Sequence, residues 1–76
     1  MIVALRTALR LEGISQTTLA ARTGLSTKHV SQVMTGHAPL SVDVAVRIQR
    51  AISTITAEDL MVAQARDLVR KALANQ

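Results

Sequence analysis

Apolar residues recur along this chain at intervals of three and four, and no stretch alternates as a half-buried strand would. In the first segment Leu5 and Leu9 lie one helical turn apart, which predicts a helix over residues 2–12 that Gly13 closes in the left-handed region. Ser15 then restarts the chain as the N-cap of a second helix over 16–23, with Leu19 and Ala20 turned inward. Gly24 breaks that helix, and Leu25 is expected to drop into the core.

A third helix begins at Ser26 or Thr27 and ends at Gly36. It carries Val30, Val33 and Met34 on one face, with Lys28, Ser31, Gln32 and Thr35 on the others. His37, Ala38, Pro39 and Leu40 form a short connector, after which Ser41 caps a fourth helix. There Val44, Ala45, Ile48, Ala51 and Ile52 repeat at helical spacing while Arg47 and Arg50 are left in water. Thr56, followed three residues later by Asp59, resembles a capping box and opens a fifth helix running to about residue 74. Along it Ala57, Leu60, Met61, Gln64, Leu68, Val69 and Ala72 make a stripe. Part of that stripe is needed to cover the other helices; the rest is available to the same helix of a second copy. The pattern predicts an all-α, five-helix single domain over residues 1–76.

Composition narrows the chemistry. A chain of 76 residues has room for one core, and 49% hydrophobic residues with a single proline exclude a disordered basic tail. A domain this small is marginally stable alone, which favours dimerisation. Cysteine is absent, which removes disulfides, thiolate metal sites and thiol nucleophiles and fits a reducing cytoplasm. The absence of Phe, Tyr and Trp excludes the aromatic stacking surfaces of most single-strand binders. His29 and His37 have no ligand-like neighbours, so no metal is expected. No nucleophile, base and orienting acid group together, so neither an enzyme nor a cofactor is expected. The apolar runs fall far short of the roughly 20 residues of a membrane span. Arg6 and Arg10 interrupt what would be the apolar region of a secretory signal, and a cytoplasmic location is expected.

Charge is unevenly placed. Up to residue 52 the chain holds six bases (Arg6, Arg10, Arg22, Lys28, Arg47, Arg50) against Glu12 and Asp43. Beyond it Arg66, Arg70 and Lys71 balance Glu58, Asp59 and Asp67. The whole formal charge of +4 therefore belongs to the first four helices, where a polyanion would be met. An ordinary solvated surface is the plain alternative.

The informative stretch is residues 16–35, QTTLAARTGLSTKHVSQVMT. Ala20 is small where the third helix must cross the second, and Gly24 supplies the positive φ of the turn. Leu25, Val30 and Val33 fix the third helix on the second. Two short helices joined in this way present the second to a major groove, its polar face toward base edges.

These residues resemble the lambda-repressor-like, or Xre-type, helix-turn-helix proteins over roughly residues 5–52. The elements are Ser15 and Gln16, Ala20, Gly24 to Ser26, Val30 and Ser31, and Val33 through Gly36. Pro39, Leu40 and Ser41 leading into Val44, Ala45, Val46, Arg47 and Ile48 look like the subset typified by HigA-type antitoxins. The resemblance implies that Gln16 touches a phosphate at a helix N-terminus. Thr27, Lys28 and Gln32 match base-reading positions. Gln32 is suited to adenine and Lys28 to guanine O6 and N7. Ser26, Ser31 and Thr35 match positions that contact backbone or bases, and His37 in the connector can donate to a phosphate.

The expected function is thus sequence-specific binding of double-stranded DNA at an operator, an inverted repeat read by a homodimeric repressor. Two alternatives stand beside it: an antitoxin that also represses its own operon and meets a toxin protein, or a helical adaptor that binds protein and no DNA.

Overall fold

In a computed structural model of the chain, residues 3–75 are described. They form five helices: α1 Val3–Glu12, α2 Gln16–Thr23, α3 Thr27–Thr35, α4 Val42–Ala51 and α5 Ala57–Ala74. The described residues contain no strand. The all-α, five-helix expectation holds, and Ile2, placed in the first turn by periodicity, lies outside the described residues.

Local chemistry sets each boundary. The hydroxyls of Ser15, Ser26 and Ser41 accept from the backbone N–H of Thr18, His29 and Val44 at 3.2, 3.0 and 3.2 Å, satisfying donors that have no partner within the first turn. Thr56 and Asp59 form a reciprocal capping box at the start of α5: Thr56 Oγ1 accepts from Asp59 N at 3.0 Å and the Asp59 carboxylate from Thr56 N at 3.4 Å. Gly24 and Gly36 end α2 and α3 with φ of 76° and 84°, a region that costs an L side chain strain.

Helix α2 packs against both α3 and α4, α4 against α5, and α5 closes onto α1. Leu5, Leu19, Ile48, Ile52 and Leu60 are fully buried where these helices meet, with Ala20 and Ala45 between them. Leu25 is only half-buried at the edge of this cluster. Ile52 lies one residue past α4 in extended backbone, and both it and Ile55 in the following loop are buried in the core.

Side-chain contacts tie the helices internally, to one another and to the connector before α4. Thr23, the one buried polar residue among those described, returns its hydroxyl to the Leu19 carbonyl at 2.9 Å. Arg47 is not simply in water: it pairs with Asp43 at 3.2 Å and its Nη1 donates to the Thr23 carbonyl at 3.4 Å. Gln64, which periodicity grouped with the apolar stripe of α5, binds both main-chain groups of Leu40 in the connector.

The α5 stripe itself divides. Ala57, Leu60, Met61 and Gln64 face the other helices, whereas every residue from 68 to 75 is exposed, Leu68, Val69 and Ala72 included. The cause is length: 18 residues span about 27 Å, and the bundle is covered by roughly the first half.

Candidate nucleic-acid interface

Helix α3 is held by one face only. Val30, Val33 and Met34 are buried, and at about 100° per residue the opposite direction falls on Lys28, Gln32 and Thr35, with Ser31 beside them and Thr27 in the first turn toward the Met34 side. Lys28, Thr27 and Thr35 are exposed, while Ser31 and Gln32 are half-buried. Residues 16–35 contain no acid, so neither α2 nor α3 opposes the approach of a phosphate backbone.

Each expected site residue can be placed. Gln16 is the first residue of α2 and half-buried, beside the free amides of that helix start. Ser26 caps α3 through its oxygen, which leaves its hydroxyl proton free to donate outward. Thr35 is turned outward, but its hydroxyl returns to the Ser31 carbonyl at 2.9 Å and lies 2.7 Å from His37 Nδ1. The hydroxyl has one proton for these neighbours, so the donor in the Thr35–His37 contact is set by the tautomer of the His37 ring. His37 also lines the cleft between the connector and α5, with Pro39, Gln64 and Leu68.

Lys28, Ser31, Gln32 and Thr35 therefore share one surface, with Ser26 and the exposed Thr27 at its N-terminal end and His37 joined through Thr35. Gln16 sits at the start of the neighbouring helix. His29 is half-buried at the edge of this surface. The resemblance singled out no role for Arg47, yet its bond to Thr23 ties α4 to the end of α2 beside the turn.

That arrangement, a short helix packed across another over a left-handed glycine with its outer face free, is what comparison with known families identifies. A family model described as helix-turn-helix (HTH_3, Xre-like) matches residues 5–60. The chain belongs to this helix-turn-helix family. The match runs from Leu5 in α1 to Leu60 in α5, so it includes the whole of α2, α3 and α4. No curated protein and no solved structure matches the chain.

Membership of the helix-turn-helix family makes this a DNA-binding domain of the transcription-regulator kind, with double-stranded DNA as its partner. The match extends to the family and stops short of the HigA-type subset. No helix among the described residues is long and apolar enough to cross a membrane.

Proposed function

We propose that this helix-turn-helix protein is a sequence-specific transcriptional repressor that binds an inverted-repeat operator as a homodimer. The observation that carries the proposal is the outward face of α3, where Lys28 and Gln32 stand one turn apart on a helix anchored by three buried residues. An ammonium and a carboxamide at that spacing match the acceptors of guanine and the donor–acceptor pair of adenine on successive base pairs. Gln16 and Ser26, at two helix starts, supply donors for phosphates on either side and set the register. Occupancy of the operator then blocks polymerase.

Selection from a randomised duplex pool at near-physiological salt tests this, because counterion release makes binding at low salt uninformative about specificity. An enriched inverted repeat with half-sites roughly 10 base pairs apart supports the dimeric repressor. Retention without enrichment leaves a non-specific binder, and no retention favours a protein adaptor.

The connector Pro39, Leu40 and Ser41 favours a second reading, in which the repressor is also an antitoxin. Co-purification with a small ribonuclease encoded beside its gene would establish it.

A further inference from the structure

We infer that Arg47, held by Asp43, is a positioning residue for sequence reading: its guanidinium fixes the turn between α2 and α3 and so sets the direction in which α3 meets the groove. The inference rests on the reading of α3 as the recognition helix and adds the residue that aims it.

Helices α2 and α4 end on each other's arginines. Arg22 Nη1 donates to the carbonyl of Ala51, the last residue of α4, and Arg47 Nη1 donates to the carbonyl of Thr23, the last residue of α2, both at 3.4 Å. Carbonyls in the last turn of a helix have no partner within it, and the negative end of the helix dipole favours a cation there. The two guanidiniums meet that need crosswise, one from each helix. Arg47 is also fixed from a second side, because its Nε lies 3.2 Å from the Asp43 carboxylate one turn earlier on α4. The guanidinium is planar and rigid, so fixing Nε aims Nη1.

What Arg47 holds is the root of α3. Thr23 is buried and its hydroxyl is bound to the Leu19 carbonyl, so Thr23 is held by its side chain and by its carbonyl. Only Gly24 and Leu25 then separate it from Ser26, the N-cap of α3. Arg47 Nη1 stands 3.8 Å from the place a Cβ would take on Gly24, so the guanidinium lies against the turn itself. Helix α3 packs chiefly on α2, whereas α4 packs on α2 and α5. A nine-residue helix held along one face is free to tilt unless its root is fixed. A turn of the Thr23 peptide swings Lys28 and Gln32 together against the rest of the bundle. The Arg47 and Asp43 side chains are 47% and 76% exposed, so their pairing adds little to folding stability, and its effect is on direction.

The test uses the whole chain with the selected duplex and a scrambled one. Asp43→Asn frees the guanidinium and makes the protein more positive, so an Arg47 that simply met phosphates would bind both duplexes more tightly. A positioning Arg47 instead loses discrimination: the ratio of the two affinities should fall severalfold, with the melting temperature near that of the wild type. Arg47→Met, which keeps most of the stem, should lower the ratio likewise. In the DNA-free protein it should also speed amide exchange severalfold in α3 and leave the first half of α5 unchanged. Tighter binding of both duplexes by Asp43→Asn at an unchanged ratio overturns the inference. So does a salt slope made shallower by about 1 in Arg47→Met, the mark of a phosphate contact. Exchange that rises equally in α3 and α5 also overturns it, as a general loss of stability. A wild type that binds both duplexes equally refutes the recognition reading, and exchange in the DNA-free variant then still decides whether Arg47 holds the turn.

Discussion

Gln64 on α5 holds both backbone groups of Leu40: its Oε1 accepts from the Leu40 N–H, and its Nε2 donates to the Leu40 carbonyl at 2.9 Å. The connector after α3 cannot form ladder or helix bonds at this point, and Leu40 is buried, so the side-chain amide stands in for the missing strand or turn. Replacing it with Leu leaves a buried donor and a buried acceptor unpaired, at a cost of about 1–3 kcal/mol. Urea unfolding should show the midpoint falling at unchanged slope. Gln64→Glu keeps the acceptor and loses the donor, and should fall between the two.

Gly24 separates backbone strain from packing. A Cβ built there meets nothing nearer than Arg47 Nη1 at 3.8 Å, an ordinary contact, but φ is +76°. Gly24→Ala should therefore destabilise by about 1 kcal/mol through the backbone alone. Gly24→Asn, whose short polar side chain tolerates the left-handed region, should cost less. A cost of several kcal/mol for Ala would show that α2 and α3 have been forced apart.

Much of this fold is visible in the sequence because its boundaries are chemical. Ser15, Ser26, Ser41 and Thr56 cap helices and Gly24 and Gly36 end them as the residue types require, and the buried faces of α3 and α4 follow helical periodicity. What periodicity cannot supply is which side of α5 is covered. Spacing groups Val69 with Leu60 and Met61 in one stripe without dividing it, whereas the structure turns Val69 outward with Val62 and Leu73, because only the first half of α5 reaches the other helices. Gln64 was missed for a related reason. A polar residue at an inward position reads as a flaw in the stripe until its main-chain partner, 24 residues away, is known. In the site, sequence gives the outward identities of Lys28 and Gln32 but not the contacts of the Thr35 hydroxyl with the Ser31 carbonyl and His37.

Ser26 combines two duties that one substitution can divide. Its oxygen caps α3, and its hydroxyl proton is not used by that cap. Aspartate caps a helix as well as serine does, so Ser26→Asp should hold the melting temperature near that of the wild type. The added negative charge would stand within a few ångströms of a phosphate, a repulsion of about 1 kcal/mol in water. Affinity for duplex should then fall severalfold, and the loss should shrink as salt rises. Ser26→Ala should show the reverse balance, losing about 1 kcal/mol of stability.

Lys28 decides whether α3 reads sequence or merely grips the backbone. As the one base on α3, it stands in the first turn with Gln32 one turn further along the same outer face. If Lys28 donates to guanine O6 and N7, Lys28→Ala should cost about 1–3 kcal/mol on the selected duplex and relax preference at a single position of the half-site. If it meets only a phosphate, affinity should drop evenly across sequences, and the slope of log affinity against log salt should become shallower by about 1. Titrating the variant and the wild type against the selected duplex and a scrambled one, at several salt concentrations, distinguishes the two outcomes. An unchanged affinity for both duplexes would remove Lys28 from the reading face and leave Gln32 as its centre.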